Sequence, residues 1–188
     1  MENEIISILN ESIKVKEGIK NIAPIIAEIS KEIVKAYKKK KKVVLFGNGG
    51  SAADAQHIAA EFVGKFYKDR DSLPSLAFHT NTSVLTATAN DYGYDLVFER
   101  QVSAFVEKGD IAIGISTSGN SPNVIKGLIK AKEKGGVTIG FTGQKQNRIE
   151  KIVDLCLKIP SADTPRIQEG HITVGHIICY LVEKELFG

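Results

Sequence analysis

The stretch Ile111-Ala112-Ile113-Gly114-Ile115-Ser116-Thr117-Ser118-Gly119-Asn120-Ser121-Pro122 decides the fold. Its first five residues are β-branched or small and apolar throughout, as in a strand buried on both faces. The run then stops in hydroxyls, Gly and Asn. Pro122, whose ring suits the first position of a helix, opens a helical pattern. A strand, a polar loop and a helix N-terminus therefore follow one another. Free backbone N–H groups, the positive end of a helix dipole and four hydroxyl side chains meet at that point, and such a place suits a phosphate. A Ser N-cap would account for Ser121 alone. It leaves Ser116, Thr117 and Ser118 without a reason.

The same alternation extends in both directions. Val43 to Phe46 is a second continuous apolar run, and it ends in Gly47-Asn48-Gly49-Gly50-Ser51 before a helical stretch to about Val63. Leu76 to Phe78, Val137 to Phe141 and Leu155 to Ile159 supply three more strand candidates. Helical patterns cover 84–89, 94–105, 122–134, 147–152 and 165–186, and two helices (3–16 and 19–40) precede the first strand. Apolar strands alternating with helices predict an α/β three-layer sandwich: a parallel sheet of about five strands with helices on both faces. One domain over 1–188 is expected, with residues 1–40 as a helical pair for packing or oligomerisation and 41–188 as the α/β core. In such sheets ligands sit at the carboxyl ends of the strands, near the switch in strand order. The loops 47–51 and 116–121 are both strand ends, so one crevice should receive both.

Bulk properties narrow the function. The chain has 188 residues, 43% of them apolar and 25% charged, and a net charge of +3. That charge is too small to argue for nucleic acid. The block Lys38 to Lys42 reads as solvated lysines at a helix C-terminus. Cys156 and Cys179 lie among apolar residues and read as buried thiols, without metal spacing. No apolar run is long enough to span a membrane and no signal-peptide pattern is present, so a cytoplasmic protein is expected.

The Gly47–Ser51 turn is neither a P-loop, since no Gly-Lys-Ser/Thr follows, nor a dinucleotide fingerprint, since Ala52 stands where a third glycine is needed. The helix after it carries His57 and Glu61 one turn apart on one face. That pair could be a solvent-facing ion pair, a metal site or a proton-transfer pair. The last helix carries Gln168, Glu169, His171 and His176. His171 and His176 do not share a face, and spacing alone leaves open which one reaches the crevice. Asn90-Asp91-Tyr92-Gly93 reads as a C-terminal turn able to meet a sugar hydroxyl.

Taken together, Gly47 to His57, Glu61, Asn90 to Gly93, Gly114 to Ser121, Arg166 to His171, and His176 resemble the phosphoheptose isomerases of the sugar-isomerase (SIS) domain family. The likeness covers essentially the whole chain. It implies a flavodoxin-like SIS fold and conversion of D-sedoheptulose 7-phosphate into D-glycero-D-manno-heptose 7-phosphate, towards bacterial heptose precursors of lipopolysaccharide or capsule. By resemblance, Ser51, Ser116, Thr117, Ser118 and Ser121 hold the substrate phosphate. Asn48, Gly49, Gly50, Asn90, Asp91 and Gln168 belong to the substrate site, Glu61 is the general base and His176 the general acid. The family also implies zinc, one per subunit, on His57, Glu61, Gln168 and His176, and a homotetramer with no nucleic-acid or membrane partner. One alternative is another phosphosugar isomerase with the same machinery; the closer rival is a non-enzymatic family protein that binds a replication initiator. Its members lack the counterparts of Glu61 and His176.

Overall fold

The computed structural model describes all residues 1–188. Five parallel strands form one sheet: β1 (Val43–Gly47), β2 (Ser75–Ala77), β3 (Ile111–Ile115), β4 (Val137–Gly143) and β5 (Leu155–Ile159), in the order β2-β1-β3-β4-β5. Seven helices accompany them: α1 (Glu2–Ile19), α2 (Ala23–Lys38), α3 (Gly50–Val63), α4 (Thr82–Tyr92), α5 (Val97–Phe105), α6 (Pro122–Glu133) and α7 (Thr164–Phe187). The expected three-layer α/β architecture is present, with the two leading helices.

The layers follow from the period-2 geometry of a strand. Val43, Leu45, Ile111, Ile113, Ile115, Ile139 and Phe141 face one way, into a core shared with α2, α3 and α7. Val44, Phe46 and Ala112 face the other, onto α5 and α6. All residues of β1 and β3 are buried, which is why their sequences never alternate.

Strand order places the site. The chain leaves β1 for β2 on one side and returns to β3 on the other. The switch therefore lies between β1 and β3, where Gly47 pairs with Ile115 in register. Residues 48 and 116 emerge side by side at the carboxyl edge.

Several boundaries differ from the sequence expectation, and the helix expected over 147–152 is only a 3-10 turn (Ile149–Lys151). The leading helices are joined by a 3-10 turn (Lys20–Ile22) rather than a break. The helix expected over 94–105 opens as a 3-10 turn (Tyr94–Leu96) before α5. Asn81 starts α4 two residues earlier than expected, by accepting the Val84 N–H at 3.1 Å. The basic block is also only partly solvated. Lys42 Nζ lies 2.6 Å from the Asp110 carboxylate, which is fully buried and also accepts the Lys42 and Glu107 N–H groups. A buried carboxylate needs such a partner, so Lys42 serves the core. Cys156 is half-buried and Cys179 buried, both as free thiols.

Candidate functional site

The loop after β3 is a cradle of hydroxyls. Ser121 occupies the position before α6, yet its side chain makes no capping bond. Its Oγ lies 2.9 Å from Ser116 Oγ, which is 3.3 Å from Ser118 Oγ. Ser116 is buried, Ser121 half-buried and Ser118 exposed, so the hydroxyls rise from core to surface. The turn requires glycine at 119: φ is +63°, and a Cβ there would meet the Asn147 side chain at 2.2 Å. Thr117 and Ser118 also line a polar cleft with Lys145 and Thr164, at the start of α7. The N-terminus of α6 thus offers its dipole to an anion, with hydroxyls turned toward one another instead of toward the helix.

The loop after β1 meets it. Asn48 and Asn123 exchange two amide hydrogen bonds, each 2.9 Å, and Asn48 Oδ1 also accepts Tyr94 Oη at 3.1 Å. Asn48 therefore ties the β1 loop to α6, with one N–H left for a ligand. Asn123 and Tyr94 were not singled out from the sequence; only the fold brings them to Asn48. Ser51 is buried at the first turn of α3. Gly50 is packed under the Gln168 amide, whose Nε2 would lie 2.4 Å from a Cβ at that position. Asn90 and Asp91 are exposed in the last turn of α4, where Asn90 Nδ2 donates to Asp91 Oδ1 at 2.8 Å. Neither makes a hydrogen bond to the two loops.

Helices α3 and α7 run side by side from the same sheet edge and bring the titratable groups together. His57 Nε2 lies 3.2 Å from Glu61 Oε1 and 3.0 Å from His176 Nε2. The three ligand atoms all lie within 4.8 Å of one another. A ring nitrogen carries one proton or one lone pair, so His57 Nε2 cannot satisfy both neighbours by hydrogen bonding. A zinc ion with His and carboxylate donors at about 2.0–2.2 Å keeps neighbouring donors roughly 3.4 Å apart in a tetrahedron. The donor set fits such an ion, and both His57 contacts lie close to that spacing.

Gln168 stands two turns before His176, about 12 Å along the helix axis, with its amide at Gly50. The structure thus gathers three of the four expected metal residues and places the fourth with the loops. His171 faces the other way: its Nε2 donates to the Thr142 carbonyl at 3.2 Å, its ring is wholly buried, and burial depresses its pKa to about 4. Asp54, within the Gly47–His57 motif, stands one turn before His57. Its Oδ2 is buried without a partner, and burial raises its pKa to about 6 against the opposing effect of His57.

Known proteins fit this geometry. The SIS domain model matches residues 9–143. The phosphoheptose isomerase of Aneurinibacillus thermoaerophilus is 51% identical over 190 residues, covering 100% of this chain and 96% of that protein. Phosphoheptose isomerase 2 of Campylobacter jejuni is 54% identical over 181 residues, covering 95% and 90%. A solved phosphoheptose isomerase from Francisella tularensis superposes with a TM-score of 0.94 at 30% identity, covering 97% of each chain. The fold and the hydroxyl cradle define the class, that of SIS-domain phosphosugar proteins. Within it, the chain belongs to the phosphoheptose isomerase family.

Proposed function

We infer that this chain interconverts D-sedoheptulose 7-phosphate and D-glycero-D-manno-heptose 7-phosphate, an aldose–ketose isomerisation in heptose biosynthesis. One observation carries the reading. A carboxylate and an imidazole, Glu61 and His176, meet on the α3–α7 contact, and both helices start at the edge that bears the hydroxyl cradle. Relatives named for this activity match over the full chain.

The geometry suits a substrate with its phosphate at one end and its reacting carbons at the other. Ser51, Ser116, Thr117, Ser118 and Ser121 hold the phosphate at the loops. Asn48, Gly49, Gly50 and Gln168 line the path of the sugar, with Asn90 and Asp91 closing on it from α4. His57 lies two turns into α3 from Gly50, about 10 Å along the axis, so the reacting carbons lie beyond the cradle. Binding energy from the unreactive phosphate positions them there.

Glu61 takes a proton from C1 of the ketose as His176 donates one to the C2 oxygen, giving an enediol. Glu61 then returns its proton to C2 while His176 removes one from the C1 oxygen, leaving the aldose. The atoms and electrons balance without a co-reactant. His57, Glu61 and His176 would hold a zinc ion. An ion on those atoms would compete with the proton transfers for Glu61 and His176; beside the substrate it would polarise a carbonyl oxygen. Residues 1–188 act in this reading as one SIS domain of a cytoplasmic homotetramer. The apolar stripe of α1, with Ile5, Ile6, Leu9 and Ile13 about half exposed, supports self-association. No helix is long and apolar enough to cross a membrane. The initiator-binding alternative is not favoured, since Glu61 and His176 are both present and brought together.

The test is incubation of the pure protein with sedoheptulose 7-phosphate, with and without a chelator. The aldose should form without chelator. No product under either condition would overturn the reading.

A further inference from the structure

We propose that Arg70 and Glu183 are positioning residues for the isomerisation: their buried ion pair sets where Glu61 and His176 stand relative to one another. The inference rests on the acid–base roles proposed above.

The two side chains are 2% and 3% exposed, and Arg70 Nε lies 2.9 Å from Glu183 Oε1. Buried charges persist where each is neutralised and hydrogen-bonded, as both are here. Glu183 also accepts the backbone N–H groups of Phe66, Tyr67 and Lys68 at 3.1, 2.8 and 3.0 Å. Those bonds and the Arg70 contact hold its carboxyl below the ordinary value against the opposing pull of burial. Arg70 spends most of its remaining donors on the end of α3, while Nη1 also donates to the Asp71 carbonyl at 3.0 Å. Nη2 donates to the Glu61 carbonyl at 2.9 Å, and Nη1 to the carbonyls of Phe62 at 2.9 Å and Gly64 at 3.3 Å. These are carbonyls a helix leaves unpaired at its C-terminus, where a cation also meets the negative end of the dipole.

Each arm of the pair reaches one member of the acid–base couple. Glu183 lies seven residues after His176 on α7, two turns on and on nearly the same face. The Arg70 fork therefore ties the backbone of Glu61 to the face of α7 that carries His176. The segment folded on the Glu183 carboxylate presents Phe66, whose ring centroid is 5.8 Å from that of His176. The imidazole is thus flanked by His57 on one side and by a ring anchored through Glu183 on another. Neither Arg70 nor Glu183 hydrogen-bonds the hydroxyl cradle, which hangs on β3 and α6. The pair should govern the proton-moving end of the site and leave the phosphate end alone.

The experiment compares steady-state kinetics on sedoheptulose 7-phosphate for Arg70→Lys, Glu183→Gln and Phe66→Leu, with thermal unfolding alongside and Glu61→Gln as reference. Phe66→Leu leaves the ion pair intact and keeps the comparison available if a clamp variant does not fold. Displacing a catalytic group by about 1 Å costs on the order of 100-fold in rate. The clamp variants should therefore lose about 10- to 100-fold in kcat with KM nearly unchanged, and Phe66→Leu should lose less in the same sense. Arg70→Met is included as a further variant, and Arg70→Lys should retain more kcat than it, since the ammonium keeps the charge and part of the donor set. Folded variants with wild-type kcat, or a loss found wholly in KM, would overturn the proposal. Glu61→Gln separates the two layers. If it is active, the acid–base reading fails and the clamp's purpose with it. If it is inactive while Arg70→Lys keeps full kcat, only the clamp fails.

Discussion

His176 Nε2 lies 3.0 Å from His57 Nε2, across the contact between two helices whose sequences are 119 residues apart. Two ring nitrogens aimed at each other, with Glu61 Oε1 3.2 Å from one of them, are arranged for a shared cation. Metal ligands must shed their protons to bind. Zinc binding should therefore release protons and weaken as pH falls, and His57→Asn should weaken it further. Calorimetry in two buffers of different ionisation heat checks this. Absence of proton release, or unchanged affinity in His57→Asn, would remove the triad as the site.

Ser118 is the exposed member of the hydroxyl cradle, so its loss should be felt by substrate and hardly by the fold. One hydrogen bond to a charged group contributes about 1.5–3 kcal/mol, which corresponds to roughly 10- to 100-fold in affinity. Ser118→Ala should raise KM by about that factor with the unfolding temperature unchanged. An effect confined to stability would contradict a phosphate role.

Gly119→Ala should fail on two counts. The residue has φ of +63°, and its Cβ would enter the Asn147 side chain. The left-handed backbone alone costs about 1–3 kcal/mol for a residue with a side chain. Lower thermal stability together with a raised KM is expected. A variant indistinguishable from wild type in both would show that the loop relaxes freely.

His171 gives the fold a pH dependence of known sign. Burial lowers its folded pKa to about 4, below its ordinary 6.5. The unfolded chain therefore binds the proton first, and stability is lost as pH falls from about 6.5 toward 4. The difference corresponds to about 3 kcal/mol. Denaturant titrations should show this slope in wild type and a flatter one in His171→Leu. Equal slopes would contradict it.

Much of the architecture was legible because the buried strands are continuous apolar runs. The runs Val43 to Phe46 and Ile111 to Ile115 coincide almost to the residue with β1 and β3. The two polar loops were legible as a pair because strands in such sheets release their ligands at one edge. What the sequence withheld depends on packing between distant segments. His171 and His176 are both set in an apolar helix, and only the placement of α7 between β4 and α3 sends one to the core and the other to His57. Ser121 carries the pattern of a cap, but Ser116 competes for its hydroxyl. Asn48 spends most of its amide on Asn123. Lys42 looked solvated because Asp110 is 68 residues away. Arg70 and Glu183, separated by 113 residues, give no local signal at all.

The most direct measurement is turnover and binding of sedoheptulose 7-phosphate by Glu61→Gln beside the wild type. The wild type should form D-glycero-D-manno-heptose 7-phosphate, while Glu61→Gln should bind the ketose through an intact hydroxyl cradle and form no aldose. Turnover by Glu61→Gln at the wild-type rate would contradict this.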